Sequence, residues 1–142
     1  MVRHPAQPLA DHTMPYATLV YLHLATVVPA FLVGTYILLN QKGTPTHRAL
    51  GKLFMILMVG TAFISLFMSD GRGTRVLGHF GFNHLFVIPV AIFIPRAYLA
   101  ARRGDIRTHK GSVLGVYVGA LLIAGAVAVF TPGRLIHVWL FG

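Results

Sequence analysis

Apolar residues in this chain come in long runs rather than in alternation. Residues 16–39 (YATLVYLHLATVVPAFLVGTYILL) carry no charge at all. Three further runs follow at 49–68 (ALGKLFMILMVGTAFISLFM), 79–101 (HFGFNHLFVIPVAIFIPRAYLAA) and 111–131 (GSVLGVYVGALLIAGAVAVFT). A helix rises about 1.5 Å per residue and a bilayer core is about 30 Å thick, so about 20 apolar residues suffice to cross it. The pattern therefore predicts an all-α membrane protein with four transmembrane helices in an up-down-up-down bundle. Pro29 predicts a kink in the first span, and Lys52 can snorkel from the second to the interface. Residues 1–15, rich in proline and polar side chains, are expected to form a flexible tail too polar for a secretory signal. Residues 69–78 (SDGRGTRVLG) read as a polar loop. Residues 132–142, with Arg134, Trp139 and Phe141, are too short to cross and read as an interfacial helix. All of 16–142 is expected to be one domain.

The polar punctuation repeats. Residues 42–51 read K-G-T-P-T-H-R-A-L-G and residues 102–111 read R-R-G-D-I-R-T-H-K-G, so both junctions contain Thr-His followed by a cation. His23 precedes His47 by 24 residues and His84 precedes His109 by 25; Pro29 follows His23, and Pro89 follows His84. These coincidences predict two hairpins, 16–68 and 79–131, forming a parallel repeat about an axis along the membrane normal. Thr46 and Thr108 are expected N-caps, with the histidines at the first helical positions.

In such a bundle, spans one and three lie diagonally, as do two and four. His23 would face His84 near one membrane surface, and His47 would face His109 near the other. With neighbouring helices about 8–10 Å apart, diagonal backbones are about 13 Å apart, a gap that suits a flat metal macrocycle held between imidazoles. The two levels would be separated by about 25 Å. Haem b, one or two per chain, is the cofactor this spacing suggests, with His23, His84, His47 and His109 as iron ligands.

Composition narrows the alternatives. Of 142 residues, 56% are hydrophobic and 11% charged, and the mean hydropathy is +0.72, far from the usual soluble balance. The net charge of +9 falls in short clusters between apolar runs, which fits membrane flanks rather than a continuous nucleic-acid-binding face. There is no cysteine, which excludes disulfides and thiolate metal sites. The three acids, Asp11, Asp70 and Asp105, leave little room for a paired-carboxylate centre. No phosphate-binding loop, dinucleotide fingerprint, zinc-protease motif or nucleophile elbow occurs, so no catalytic residue is assigned. Seven cations (Lys42, Arg48, Lys52, Arg102, Arg103, Arg107, Lys110) lie on the side of the Thr-His junctions and four (Arg3, Arg72, Arg75, Arg134) on the other. The excess predicts a multi-pass protein of the bacterial inner membrane with both junctions cytoplasmic and both termini outside.

Arg96, inside the third run, either snorkels or pairs with an anion such as a haem propionate or a quinone headgroup. Gly111, Gly115 and Gly119 form a stripe suited to close helix packing, to a flat ring or to an oligomer contact. His79 is an alternative outer ligand, His137 reads as interfacial, and His4 and His12 belong to the tail. Met55, Met58, Phe54 and Phe63 read as packing.

The runs YLHLATVVPAFLVGTY, KGTPTHRALG, LGHFGFNHL, AARRGDIRTHKG and PGRLIHVWLFG resemble a family of short bacterial membrane proteins grouped as a domain of unknown function. The likeness covers nearly everything after residue 14 and implies no particular activity. A weaker likeness is to four-helix transmembrane di-haem cytochromes b, in which each core helix contributes one histidine. It implies that His23 pairs with His84 and His47 with His109, although this chain lacks those proteins' extra helices. The expected function is thus bis-histidine haem binding for transmembrane electron transfer, with a redox protein or quinone as partner. The alternatives are a cofactor-free accessory or scaffold subunit of a larger membrane complex, or a histidine site for a bare metal or a quinone.

Overall fold

The computed structural model describes residues 16–68, 75–77, 80–132 and 135–142. The tail with His4 and His12, together with His79, Asp70, Arg72 and Arg134, lies outside the described residues. The fold is all-α with four helices long and apolar enough to cross a membrane: Tyr16–Leu39, Pro45–Leu66, His84–Arg103 and Ile106–Phe130.

Helix α1 (Tyr16–Leu39) keeps the bounds its uncharged run predicts and stays helical through Pro29. In lipid a helix is the only way to satisfy most of its backbone, so a proline that removes one donor does not end it. Helix α2 (Pro45–Leu66) begins four residues earlier than the apolar run. Its N-cap is Thr44, in extended conformation, whose hydroxyl accepts from the His47 N–H at 3.1 Å. Pro45 fills the first helical position, where a missing N–H costs nothing. Thr46 is therefore inside the helix and not its cap, which corrects the expectation.

A short antiparallel pair, β1 (Arg75–Leu77) with β2 (Phe80–Gly81), stands where a loop and the start of the third span were expected. A 3-10 segment (Phe82–Phe86) then leads into α3 (Val87–Arg103). Gly104, at φ 74°, ends α3, and Asp105 caps α4 (Ile106–Val116) by accepting from the Thr108 N–H at 3.0 Å. Thr108, like Thr46, is not a cap. The charged residues that closed the expected runs lie in the helices' end turns, so hydropathy alone misplaced both starts.

The fourth span continues through a π-helical segment (Tyr117–Ile123) into α5 (Ala124–Phe130), and α6 (Leu135–Phe141) follows. Contacts fix how the helices run. Thr26 of α1 meets Thr61 of α2, and Gly34 lies against Phe54, so partners move backward on α2 as they move forward on α1. In the same way His109 meets Ala97, and Gly115 lies under Phe93. Each hairpin is thus antiparallel. The hairpins meet where Thr35 and Phe31 contact Tyr117, and where Tyr21 approaches Trp139 of α6.

The core is narrow. Ala30, Phe54, Met58, Val90, Ile94, Ala97, Val116 and Leu121 are buried along the axis. Gly34 lets Phe54 and Tyr117 close over α1: a Cβ there would lie 2.8 Å from the Phe54 ring and 3.0 Å from Tyr117. Large apolar side chains cover the outside, among them Leu39, Ile56, Phe63, Ile92 and Phe130. Such a surface is stable only when hydrocarbon covers it.

Candidate functional site

One end of the bundle gathers the loop 40–44, the α2 start, the α3 end and the α4 start. Both turns use a left-handed glycine, Gly43 at φ 82° and Gly104 at φ 74°, immediately before the capping residue. Glycine adopts that conformation without the Cβ clash other residues meet. Counting from the caps, His47 is the third residue of α2 and His109 the fourth of α4. The two Thr-His pairs therefore occupy helical positions one residue apart, and neither histidine is at the first position.

The four histidines of the sequence pattern fall into two unlike settings. His47 and His109 come together ring to ring, with centroids 6.3 Å apart and planes at 77°. His109 Nδ1 lies 2.9 Å from the carbonyl of Ala97. A carbonyl only accepts, so Nδ1 carries the proton and donates, and Nε2 keeps its lone pair. A metal-ligating histidine commonly has this arrangement, with one nitrogen tied to a neighbouring carbonyl and the other left to bind. His47 Nδ1 is buried and has no hydrogen-bond partner.

At the opposite end, His23 and His84 each lie against the backbone of α2. The carbonyl of Thr61 faces the His23 ring. Nearby, the Thr61 hydroxyl donates to Thr26 Oγ1 at 2.6 Å, and Thr26 in turn donates to the His23 carbonyl at 2.9 Å. His23 Nδ1 is buried without a partner. His84 is buried, and its Nε2 lies 3.4 Å from the carbonyl of Leu66, the last residue of α2. Among the described residues that carbonyl has no helical donor, so His84 serves partly as a cap for the helix end.

Arg96 is exposed on α3, and its charge reaches Asp105. The Asp105 carboxyl is held below the usual carboxylate range, chiefly because it accepts from the Thr108 backbone N–H. His137 donates through Nδ1 to the Val129 carbonyl at 2.9 Å and packs against Phe141, so it ties α6 to α5. Of the glycine stripe, only Gly115 is packed: a Cβ there would lie 3.2 Å from Phe93, whereas Gly111 and Gly119 face open space.

Two features at the paired end lay outside the expected site. One is the Ala97 carbonyl, which no side-chain pattern marks. The other is a cavity of about 180 Å³ beside His47, lined by Tyr36, Ile37, Asn40, Gln41, Thr44, Thr46 and Leu50. The polar run N-Q-K-G-T between two spans is the signal that could have pointed to it. Among the described residues no group of three or more His, Cys, Asp or Glu side chains converges on a point.

Four membrane-crossing helices and an apolar outer surface define an integral, multi-pass membrane protein. The family model for predicted membrane proteins known as DUF2306 matches residues 20–139, nearly the whole chain, and the protein belongs to that family. No curated protein and no solved structure matches the chain.

Proposed function

We propose that this protein binds haem b in the membrane and passes electrons through it, with His47 and His109 as the axial ligands. The observation that carries the proposal is the 6.3 Å separation of their rings. Two histidines holding one metal between them, each through a nitrogen about 2 Å from it, would have ring centres roughly 6–6.5 Å apart, so the separation is compatible with such a group. The Ala97 carbonyl fixes His109 in the tautomer a ligand needs, and the buried Nδ1 of His47 lacks a partner. One turn beyond His47, a Cβ at Gly51 would meet nothing within 4 Å, which leaves room at the edge of a flat ring.

The number of ligands separates haem from a bare ion. A bare zinc or copper ion would need a third side chain, and none converges among the described residues. A porphyrin supplies four nitrogens and asks the protein for two. His47 and His109 would hold the group from either side, and haem bound there would supply one-electron redox chemistry suited to electron transfer. Arg96, exposed near this end, is available to an anionic propionate. The cation excess around the same end favours a cytoplasmic orientation for it.

A second haem between His23 and His84 would extend the same reading. The buried, unpartnered Nδ1 of His23 supports it, whereas the bond from His84 to the α2 end gives that histidine a structural use. The haem-to-protein ratio of material purified from haem-replete cells tests both parts. One haem per chain, lost in His109→Ala and kept in His23→Ala, is the expected result. Two per chain would add the second site, and none would overturn the proposal.

A further inference from the structure

We propose that the cavity between the end of α1 and the start of α2 binds the headgroup of a quinone or quinol. This names a partner class for the electron-transfer reading and rests on that reading for its redox role, though not for binding itself.

The lining is neutral and two-faced. Ile37 and Leu50 supply apolar surface, while Tyr36, Asn40, Gln41, Thr44 and Thr46 supply a phenol, two amides and two hydroxyls. No carboxylate, lysine or arginine lines it, so the cavity does not select an ion. Several donors remain available by inventory. Thr44 Oγ1 accepts from the His47 N–H and keeps its own proton to give. Asn40 uses one amide N–H on the Tyr36 carbonyl, at 2.9 Å, and retains a second. A quinone ring presents the complement, two apolar faces with carbonyl oxygens at opposite edges.

Size and position agree. At about 180 Å³ the cavity has room for one small ring. It opens where α1 leaves the apolar span, with Tyr36 and Leu39 exposed on the same helix end. A tail attached to the ring could therefore stay in lipid. His47 lines the cavity and also faces His109, so a bound ring would lie beside the paired imidazoles. Lys42 and Arg48 are close enough for their charges to act on His47, which gives the site a positive surround without placing a cation in it.

Calorimetric titration with ubiquinone-1, comparing protein in lipid nanodiscs with empty nanodiscs, tests the proposal. Wild-type protein should show saturable binding beyond partition into lipid. Leu50→Trp, which fills the cavity, should weaken it at least about tenfold, and Thr46→Val, which only removes a hydroxyl, about threefold. Circular dichroism establishes that each variant is folded, and Thr46→Val decides the matter if Leu50→Trp is not. Protein prepared from haem-depleted cells should retain binding, so a colourless protein leaves this test intact. Heat indistinguishable from empty nanodiscs, or wild-type affinity in the folded variants, would overturn the proposal.

Discussion

The two ends of the bundle hold the same residue type in different ways. At the loop end, His47 and His109 come from separate hairpins and meet through their rings, with 6.3 Å between centroids. At the other end, His23 and His84 both turn to α2, one toward the Thr61 carbonyl and the other toward that of Leu66. A histidine that satisfies a helix end has a structural use. A pair that faces across helices, with one ring pinned by a carbonyl, leaves lone pairs for something else. Intramembrane histidines are therefore distinguished by what their nitrogens already bond to, and not by depth or spacing alone.

The largest expected effect tests that contrast directly. His109→Ala should reduce bound haem by at least about tenfold, as measured by absorbance per chain, while leaving the helix content unchanged. His84→Ala should instead cost about 1 kcal/mol of stability by stranding the Leu66 carbonyl, with little change in haem at the loop end. Thermal melts in detergent beside haem spectra separate the two; equal colour loss in both variants would erase the distinction between the ends.

The middle of the bundle holds the ends in register, and Gly34 is closely packed there against Phe54 and Tyr117. Gly34→Ala places a methyl 2.8 Å from Phe54 and should cost about 1–3 kcal/mol, lowering the melting temperature. A smaller effect is expected from Tyr117→Phe. Thr35 gives its proton to the Phe31 carbonyl, so Tyr117 is the donor in their 2.6 Å contact. Loss of that contact should cost about 0.6 kcal/mol, the usual scale for such bonds between membrane helices.

The smallest effect concerns pH at the loop end. The folded carboxyl of Asp105 titrates below its unfolded value because the Thr108 N–H favours the charged form. Its contribution is therefore fully present above the ordinary carboxylate range and is lost as pH falls through that range toward the depressed value. Asp105→Asn preserves a good N-cap but removes the titration, so it should flatten the acid limb of stability without altering it at neutral pH. An unchanged acid limb would show that the Asp105 cap is not formed.

Much of the architecture was legible because bilayer thickness imposes run lengths. The bounds of α1 follow directly from its uncharged run, and four spans follow from four runs. Helix starts were harder to read. The repeated Thr-His drew the caps to Thr46 and Thr108, whereas Gly43-Thr44-Pro45 and Gly104-Asp105 carried the stronger signals: a left-handed glycine, a capping side chain and, in α2, a proline at the first helical position. The matched spacings, 24 and 25 residues, align the four histidines along the chain but do not encode their orientations. A one-residue difference turns a side chain about 100° around a helix, and the π-helical segment at Tyr117 shifts the fourth span again. Ring geometry and the Ala97 carbonyl depend on how the helices pack, which spacing along one helix does not encode.

The most direct test is the reduced-minus-oxidised absorption spectrum of the detergent-purified protein from haem-replete cells, recorded beside His47→Ala and His109→Ala. A Soret band and sharp α and β bands are expected in the wild type, with the bands of the His47–His109 haem lost in either variant at unchanged helicity. A colourless wild-type protein, or bands of undiminished intensity in both variants, would contradict that assignment.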